Sequence, residues 1–409
     1  MNLCSKFWCR SVQFFFAIGL KILPIRKPEV ISGPGTVEEL PDIIKAKGLK
    51  KPLLVTDKGL MNIGLAKPLI DSLSNANMEC AIYDGTVPNP TIDNIETGLK
   101  IYNESKCDCI IAFGGGSAMD CAKIIGARVV KPNKPVGNMK GYFKILKGLP
   151  PFFAIPTTSG TGSEATVAAV ISNPVTHEKY PINDFCLVPH YAVLDPLLTL
   201  KLPKHITSTT GVDALTHAVE AYIGGSNTSL TRDMATKATK LIFENLKETY
   251  DNGENVDARA KMQLAAYYAG VAFTRAFVGY VHAIAHTIGG LYGTPHGLAN
   301  AIILPYILDW YGKSAYKPLA KLADFAGGIC DKTDSVTVKG QKFIKAIKDL
   351  NESMNIPTKI KGLKECDFDV ITKRALKEGN PMYPVPKLMD KKQMISVLKL
   401  LVEEEKTED

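Results

Sequence analysis

The sequence has few of the features that mark several large classes of protein. Its nine cysteines are odd in number and scattered, without a C-x-x-C pair, which excludes a disulfide framework and a zinc ribbon and predicts a reducing, cytoplasmic location. Basic residues exceed acidic ones by only 49 to 41 and form no long block, so we expect no nucleic-acid partner. With 45% hydrophobic and 22% charged residues, the 409-residue chain is typical of a multi-domain globular protein.

Residues 1–28 are basic and partly apolar, and they precede the first strand-like pattern. The apolar run at residues 12–23 is about 12 residues long, which is shorter than the ~20 residues of a membrane-spanning helix. No small-x-small cleavage site follows before Lys21 and Pro24. We therefore predict an appended helix that lies on the surface of this chain or of a partner subunit. The pattern leaves membrane association or export open as the alternative.

Up to about residue 200, short apolar runs alternate with amphipathic stretches. The strand-like runs lie at residues 51–56, 80–83, 109–113 and 151–155, and the helical stretches at residues 59–73, 92–105 and 117–127. This alternation predicts an α/β domain with a doubly wound, Rossmann-like parallel sheet. After residue 203 the patterns are helical, at residues 205–223, 230–250, 258–273 and 278–292. We expect an all-helical second domain, with the active site in the cleft between the two.

A glycine-rich loop lies between a strand-like run and a helical stretch. Gly114-Gly115-Gly116-Ser117 follows the apolar run that ends at Phe113. Glycines there allow an anion to approach the free N–H groups at the start of the next helix. Because the loop matches neither G-x-G-x-x-G nor the Walker A pattern, a tight structural turn is the alternative.

Two further segments follow strand-like runs, at the edge where doubly wound sheets bind ligands. Asp57 can accept the ribose hydroxyls of an adenosine and repel a 2′-phosphate, or it can cap the helix that follows. The hydroxyl-rich stretch at residues 156–164 suits contacts to sugar and amide groups, and a capped turn is its alternative.

Four of the seven histidines lie in three compact motifs. Asp213 and His217 are four residues apart and share a helix face, as do His282 and His286, and His296 follows at a predicted helix start. Buried imidazoles need partners, and one metal ion satisfies several, although any single histidine can instead be a satisfied core residue. Nitrogen ligands with one carboxylate favour Fe²⁺ or Zn²⁺ over Ca²⁺ or Mg²⁺. The absence of H-E-x-x-H argues against peptide hydrolysis.

Together these segments resemble the iron-containing (group III) alcohol dehydrogenase family over nearly the whole chain from about Lys27. The resemblance is carried by GGGSAMD at residues 114–120, PTTSGTGSE at 156–164, GVDALTHAVE at 211–220, VHAIAH at 281–286 and PHGLAN at 295–300. It implies a dehydroquinate synthase-like architecture. The expected parts are an appended helix at residues 1–28, a dinucleotide-binding α/β domain at 29–200 and an all-helical metal-binding domain at 201–409.

The resemblance also implies roles for single residues. It implies that the metal ligands are Asp213, His217, His282 and His296, and that the catalytic residue His286 faces the nicotinamide and the substrate without binding metal. The implied cofactor contacts are Asp57, Asn89, Gly114, Gly115, Gly116, Ser117, Ala118, Asp120, Thr157, Thr158, Thr161 and Lys179. Residues 274–277 (TRAF) depart from the pattern of many members, so we expect Arg275 and Phe277 to narrow or charge the substrate pocket.

The implied function is that of a metal-dependent alcohol dehydrogenase, or aldehyde reductase, which transfers a hydride between a small alcohol and a nicotinamide cofactor. We expect Fe²⁺, with Zn²⁺ as the alternative, and NAD in preference to NADP. The alternative functions are a dehydroquinate synthase-like lyase, a hydroxyacid–oxoacid transhydrogenase and a non-catalytic metal-binding scaffold. A small alcohol or aldehyde is the expected partner, in a homodimer without a membrane partner.

Overall fold

The computed structural model describes residues 1–22, 25–173 and 178–403. The chain divides into two compact units. The α/β unit contains Ile25–Leu202 and Gly253–Gly270, and the helical unit contains Met1–Pro24, Pro203–Asn252 and Val271–Asp409. The predicted domain boundaries at residues 28/29 and 200/201 stay a prediction, and residues 23–24, 174–177 and 404–409 of the predicted segments lie outside the described residues.

The strands found among the described residues lie in the α/β unit. In chain order they are β1 (Glu29–Ser32), β2 (Pro52–Val55), β3 (Ala81–Tyr83), β4 (Cys109–Gly114), β5 (Gly141–Tyr142), β6 (Phe152–Pro156), β7 (Ala168–Asn173), β8 (Glu178–Asn183) and β9 (Tyr191–Leu194). Six of them form a parallel sheet in the order β1-β9-β6-β4-β2-β3. This confirms the predicted α/β fold with a parallel sheet.

The two central strands show why this sequence forms a parallel sheet covered on both faces. Every residue of β4 and β6 is buried. Along β4, Ile110 and Ala112 belong to one apolar cluster, whereas Ile111 and Phe113 belong to the other. Because successive side chains of a strand point to opposite faces, a strand with a core on each side must be apolar throughout.

The order of the strands defines the point at which this sheet can bind a ligand. The chain passes from β2 to its neighbour β3 and then returns to β4 on the other side of β2. Open α/β sheets bind ligands at such a reversal, outside the carboxyl ends of the strands. Asp57, just after β2, and Gly114–Gly116, at the end of β4 and just after it, therefore lie at the switch point.

The other three strands form a second sheet in the order β5-β8-β7. The strands β7 and β8 pair antiparallel, with Ser172 opposite Lys179. The sequence patterns above do not predict these strands, nor do they give separate signals for β1 and β9.

The helices, in chain order, are α1 (Leu3–Ile22), α2 (Leu40–Ala46), α3 (Lys58–Asn62), α4 (Lys67–Asn75), α5 (Ile92–Glu104), α6 (Gly116–Val130), α7 (Lys204–Ile223), α8 (Ser229–Asp251), α9 (Val256–Ala276), α10 (Tyr280–Tyr292), α11 (His296–Tyr311), α12 (Lys313–Ala326), α13 (Val336–Ser353), α14 (Phe368–Gly379) and α15 (Lys391–Lys399). Helices α7–α10 match the predicted helical stretches to within a few residues. The predicted helical second half is confirmed, since the described residues 203–403 contain no named strand. Among the described residues, no helix combines the length and the apolar character needed to cross a bilayer.

One stretch that was predicted as a single helix forms two helices in the structure. The stretch at residues 59–73 is divided into α3 and α4 by Gly64, whose φ of +70° lies in the left-handed region. A left-handed residue ends a helix, and Pro68 in the first turn of α4 has the fixed φ that starts the next one. The prediction of a continuous helix was wrong because it followed apolar periodicity and gave no weight to this glycine.

Candidate metal centre and nucleotide-binding loop

Four potential metal-ligating side chains converge inside the helical unit. Asp213 and His217 lie one turn apart on α7, His282 lies in the first turn of α10, and His296 is the first residue of α11. One ligand atom from each lies within 4.8 Å of the corresponding atoms of the other three. The sequence motifs are separated by up to 83 residues, and the packing of α7, α10 and α11 brings them together.

The carboxylate of Asp213 lies at the middle of this cluster. Its Oδ1 is 4.0 Å from Nε2 of His217, 3.9 Å from Nε2 of His282 and 3.7 Å from Nε2 of His296. Two ligand atoms held ~2.1 Å from one ion are about 3–4 Å apart. The three distances from Asp213 lie at the upper end of this range, and the four ligand atoms as a set lie within 4.8 Å of one another, so the side chains would close further around a shared cation.

Burial and charge also fit a cation at this position. The side chain of Asp213 is 2% exposed and those of His217 and His282 are 5% and 3% exposed. Burial, together with the neighbouring His217 and His296, lowers the pKa of His282 well below its usual value, so its imidazole is neutral. Asp213 is thus a buried carboxylate beside a neutral imidazole, and a divalent ion bound there would balance its charge.

A second carboxylate fixes the orientation of one histidine. Glu220, also on α7, lies 2.7 Å from Nδ1 of His282 and accepts the backbone N–H groups of Gly279 and Val281 at 2.8 and 2.9 Å. Burial raises the pKa of Glu220 to about 7, although the backbone N–H groups oppose this shift. With the Nδ1 proton donated to Glu220, the Nε2 lone pair of His282 points into the cluster, as in carboxylate–histidine–metal sites.

Asn300 lies one turn after His296 on α11 and completes the lining of the cluster. Its Nδ2 group donates to Oδ1 of Asp213 at 2.6 Å and lies 3.2 and 3.1 Å from Nε2 of His282 and His296. Asn300 is fully buried. It contacts three of the four candidate ligands and holds them in one place.

His286 lies beside the cluster but outside it. Its ring stacks on that of His296 at 5.1 Å between centroids, and its Nδ1 lies 2.7 Å from Oε1 of Glu378. The hydroxyl of Tyr383 donates to the same Glu378 oxygen at 2.8 Å. The side chain of His286 is 34% exposed, in contrast to the buried His282 one turn earlier. It is therefore an accessible imidazole whose Nδ1 proton is held by a carboxylate.

The TRAF segment, residues 274–277, lies next to these groups. Arg275 is buried and donates to the carbonyl of Val271 within α9. The ring of Phe277 packs near those of Phe16 and Tyr383, at 6.3 and 6.4 Å between centroids. The φ of Phe277 is +64°, which few non-glycine residues adopt. The predicted effect of Arg275 and Phe277 on a substrate pocket stays a prediction.

The glycine loop in the α/β unit is shaped so that a ligand can approach its backbone closely. Gly114 has a φ of +150°, and a Cβ there would lie 2.8 Å from Cβ of Ala118 and 3.8 Å from Oδ2 of Asp57. A Cβ on Gly116 would lie 3.0 Å from the side chain of Thr161. Because α6 begins at Gly116, its first backbone N–H groups have no partner within the helix. The loop has the geometry of an anion site.

Several other predicted cofactor contacts surround the loop. The backbone N–H of Thr157 donates to the carbonyl of Gly114 at 3.0 Å, and a Cβ on Gly115 would lie 3.6 Å from the side chain of Thr158. The backbone N–H of Asn89 donates to Oγ of Ser117 at 3.3 Å. The fold therefore brings together the glycine loop, Asp57, Asn89 and the three threonines of the predicted set.

Asp57 is a helix cap as well as a candidate ribose contact. Its Oδ1 accepts the backbone N–H of Leu60 at 3.0 Å, which caps α3. Its other oxygen, Oδ2, is the one that faces Gly114. The two interpretations of Asp57 are compatible, because one oxygen serves the cap and the other lies beside the loop.

Asp120 and Lys179 have different surroundings from the loop residues. Asp120 accepts the backbone N–H of Val170 at 2.9 Å and the hydroxyl of Ser163 at 3.0 Å. One oxygen thus joins α6 to β7 and the other joins it to the segment before β7. Lys179 lies half-buried on β8 of the small sheet, and burial lowers its pKa. Their predicted contacts to a cofactor stay predictions.

Some residues of the site were not assigned roles from sequence. Glu220 and Asn300 lie inside the quoted motifs, at three residues after His217 and four after His296, so helical spacing could have indicated that they face the same cluster. Glu378 and Tyr383 had no such signal. They come from the end of α14 and the loop after it, 92 and 97 residues after His286.

Two family models match the chain. Residues 27–196 match the model described as iron-containing alcohol dehydrogenase, and residues 207–402 match the model of the C-terminal part of the Fe-containing alcohol dehydrogenase family. Together they cover both the glycine loop and the four-ligand cluster.

Similar proteins and structures agree with these models. The chain is 38% identical over 371 residues to alcohol dehydrogenase 4 of Saccharomyces cerevisiae, covering 90% of this chain and 95% of that one. It is 38% identical over 354 residues to 1,3-propanediol dehydrogenase of Citrobacter freundii, covering 85% and 90%. A crystal structure of a 1,3-propanediol oxidoreductase superposes with a TM-score of 0.88 at 36% identity, covering 92% of this chain and 99% of that one.

Proposed function

Since this chain belongs to the iron-containing alcohol dehydrogenase family, we propose that it interconverts a small primary alcohol or diol and its aldehyde with NAD(H) and one divalent cation. The convergence of Asp213, His217, His282 and His296 carries this proposal. The class of activity, alcohol dehydrogenase or aldehyde reductase, is that of the family. What we propose beyond that class is the identity of the substrate, of the metal and of the nucleotide.

The metal proposal follows from the donor set. Three imidazole nitrogens and one carboxylate suit a borderline divalent ion, so we assign Fe²⁺, with Zn²⁺ as the alternative. When bound, such an ion would lower the pKa of an alcohol hydroxyl and polarise an aldehyde carbonyl. Glu220 keeps His282 in the tautomer that exposes Nε2 to the ion, and Asn300 holds Asp213 in place.

His286 is the residue that we assign to proton transfer. Glu378 accepts the Nδ1 proton of His286, so Nε2 carries the lone pair and can take a proton from an alcohol or return it. The hydroxyl of Tyr383 fixes the Glu378 carboxylate in the position that receives His286. Partial exposure of His286 lets the proton pass on to solvent.

The glycine loop is the proposed site for the nucleotide. The N-terminal backbone N–H groups of α6 would bind the pyrophosphate, and the hydroxyls of Thr157, Thr158 and Thr161 would line its path. Asp57, at the end of β2, would accept the adenosine ribose hydroxyls and repel a 2′-phosphate, which is why we propose NAD in preference to NADP. Asn89, Asp120 and Lys179 are the remaining proposed contacts.

A cytoplasmic location and a homodimer complete the proposal. All nine cysteines are free thiols, and burial raises the pKa of those at the sheet, for example that of Cys80 to about 12. Unpaired thiols favour a reducing compartment. The homodimer rests on the family resemblance alone.

One experiment separates this function from its alternatives. The protein is purified without oxygen, its metal content is measured, and absorbance at the NADH wavelength is followed with NAD⁺ and a panel of small alcohols and diols. We expect about one metal ion per chain and net accumulation of NADH. A lyase or a transhydrogenase with retained cofactor would give no net NADH, and that result would contradict the proposal.

A further inference from the structure

The outer face of α1 is apolar and exposed. Its large side chains recur at spacings of three, four and seven residues and so lie on one side of the helix: Leu3, Phe7, Trp8, Phe14, Phe15 and Ile18. The four aromatic residues are 62–75% exposed. The opposite side faces the helical unit, where Cys9 and Gln13 are buried and Gln13 donates to the carbonyl of Tyr383.

The size of this face sets it apart from ordinary surface residues. A Phe or Trp side chain covers roughly 150–250 Å² when it is buried, so four rings at this exposure present on the order of 500 Å². Leu3 and Ile18, at 83% and 40% exposure, extend the patch. The largest apolar patch of a typical monomer is about 300–600 Å² and commonly marks a binding surface.

The family fold does not account for α1. The family model begins at residue 27, after this helix ends. The superposition with the 1,3-propanediol oxidoreductase structure includes 99% of that chain but 92% of this one, so this chain carries additional residues. An exposed apolar face on a helix outside the matched region points to a role separate from the dehydrogenase reaction.

The charge of the segment is of one sign. Residues 1–28 contain the basic residues Lys6, Arg10, Lys21, Arg26 and Lys27 and no aspartate or glutamate. The guanidinium of Arg10 donates to neutral oxygens, the amide of Gln13 and the carbonyls of Val385 and Pro386. Because none of these partners is a carboxylate, they leave the positive charge of Arg10 uncompensated.

A groove of about 840 Å³ runs along the edge of the apolar face, within the helical unit. Leu3 and Phe7 of the face line it together with Lys6, Arg10 and Lys387. The Nζ of Lys387 lies over the ring of Trp310 at 4.2 Å and near its carbonyl, so its partners are also uncharged. Among the described residues that line the groove, the one carboxylate is that of Asp390, which caps α15 and lies 3.4 Å from the terminal amine of Met1. The groove therefore combines apolar walls with a net positive charge.

We propose that α1 binds the surface of an anionic phospholipid bilayer. The aromatic face enters the boundary between headgroups and acyl chains, and Lys6, Arg10 and Lys387 meet the lipid phosphates at the groove. A helix with aromatic and aliphatic residues on one face and only basic charges is the pattern of interfacial membrane helices. This proposal revises the expectation that the chain has no membrane partner, and it does not rest on the proposed catalytic function.

The charges favour a lipid surface over a second copy of the chain. Two α1 helices paired through their apolar faces would bring Lys6 and Arg10 of each copy near those of the other. No carboxylate within residues 1–28 could compensate that repulsion. An anionic bilayer supplies the opposite charge across the whole face, and long basic side chains at the edge of the face reach the headgroup level.

The test uses the full chain and vesicles. Flotation is measured with vesicles of phosphatidylcholine alone and with about 30% phosphatidylglycerol, at about 0.1 M and 1 M salt. We expect binding to the anionic vesicles at low salt and its loss at high salt. Combined Phe7→Ser, Trp8→Ser, Phe14→Ser and Phe15→Ser substitutions should weaken binding at least about ten-fold. Phe325→Ser and Leu146→Ser, exposed residues outside α1, are the matched controls and should leave binding unchanged.

Two gentler variants keep the test decisive if the combined variant does not fold. Lys6→Gln should weaken binding to anionic vesicles about five-fold, since one basic residue near such a surface contributes ~1 kcal/mol, whereas Lys321→Gln on α12 should not. Brominated lipids should quench the fluorescence of Trp8, and Trp8→Phe should remove that quenching while the protein still binds. The thermal midpoint and the alcohol oxidation rate of these variants should match those of the unmodified protein.

Three results would overturn the proposal. The first is failure of the unmodified protein to bind anionic vesicles at low salt. The second is equal flotation of the combined variant and the unmodified protein. The third comes from sedimentation velocity without lipid: if the aromatic substitutions halve the mass of the particle, a second copy of the chain covers this face instead.

Discussion

At the scale of single residues, His282 and His286 lie one turn apart on α10 and have different surroundings. His282 is buried with its Nδ1 against Glu220, and His286 is partly exposed with its Nδ1 against Glu378. We expect His282→Ala to lose both the metal and turnover. His286→Ala should keep the metal and lower kcat by about 10²–10⁴-fold, the range for loss of a general acid or base.

Metal analysis and steady-state NADH assays on the same preparations check this pair. His205→Ala is the matched control, because His205 is exposed in the first turn of α7 and lies outside the cluster. A His286→Ala protein that binds no metal would contradict the separation of the two roles.

Glu220 allows a test of tautomer control without removal of a ligand. In Glu220→Gln the amide oxygen can take the place of Oε1 and accept the backbone N–H of Val281, which puts the NH₂ group at the position of Oε2, the oxygen that now accepts from Gly279 and faces His282. That NH₂ group would then face Nδ1 of His282 and favour the tautomer with a proton on Nε2. We expect metal affinity to fall about 10–100-fold, as for other changes to the partner of a metal-binding histidine. Competition with a chelator measures this, and Glu244→Gln on the exposed face of α8 should leave affinity unchanged.

Asp57 combines two functions that one substitution can separate. Serine also caps helices, so Asp57→Ser should preserve the cap on α3 and the thermal midpoint while it removes the carboxylate beside Gly114. We expect the ratio of NADP to NAD turnover, compared as kcat/KM, to rise. Asp57→Gly should raise the same ratio with a small loss of stability. An unchanged ratio in both variants would leave Asp57 as a cap alone.

At the scale of elements, a buried polar network joins α6 to the turn before β7. The Nζ of Lys123 donates to Oγ of Ser163 and Oγ1 of Thr166 at 3.0 and 2.9 Å, and to the carbonyls of Thr166 and Ala168. Burial lowers the pKa of Lys123 to about 8 and raises the pKa of Glu164 to about 7. This network fixes α6, and with it the glycine loop, against the threonine-rich segment.

The pKa of Glu164 predicts a specific pH dependence. Its ordinary value is 4.5, so between about pH 5 and 7 the folded state holds a proton there that the unfolded chain releases. The free energy of unfolding should therefore fall as pH rises through this window. In Glu164→Gln that contribution disappears, and the stability of the variant relative to the unmodified protein should rise by ~1–3 kcal/mol from pH 5 to 7.

Denaturant unfolding at pH 5, 6 and 7 is the measurement. Glu38 is an exposed glutamate of the same unit, so the free energy of unfolding of Glu38→Gln should change with pH as that of the unmodified protein does. Lys123 does not interfere, because its change of charge is centred near pH 8. A stability difference between Glu164→Gln and the unmodified protein that stays constant with pH would show that Glu164 is already charged in the folded state.

Individual elements show what sequence patterns reveal and where they stop. Strands β2, β4 and β6 were predicted to within one or two residues because a strand buried on both faces is apolar throughout. The pair β7 and β8 was missed, since its residues are mixed in polarity and its pairing is set by contacts with α6 such as that of Asp120. Helical spacing grouped Asp213 with His217 and His282 with His286, but the set of four candidate ligands was implied by the family resemblance. Glu378 was not predicted, because nothing local links it to His286.

At the scale of the whole molecule, the two compact units give separate predictions for metal and nucleotide. The candidate ligands all lie in the helical unit, and the glycine loop lies in the α/β unit. A ligand that binds only the folded state stabilises it by about 2.7 kcal/mol at 100 times its Kd. The stabilisation should appear first in the elements that hold the ligand, since local opening exposes them when it is absent.

Hydrogen exchange can locate each effect. Loading Fe²⁺ without oxygen should slow exchange in α7, α10 and α11, and adding a chelator should reverse this. NAD⁺ should slow exchange in β4 and α6. In His282→Ala the response to metal should vanish while the response to NAD⁺ of β4 and α6 remains, because the loop does not depend on that imidazole. If Fe²⁺ protects these three helices equally in His282→Ala and in the unmodified protein, the ion binds elsewhere and the four-ligand assignment fails.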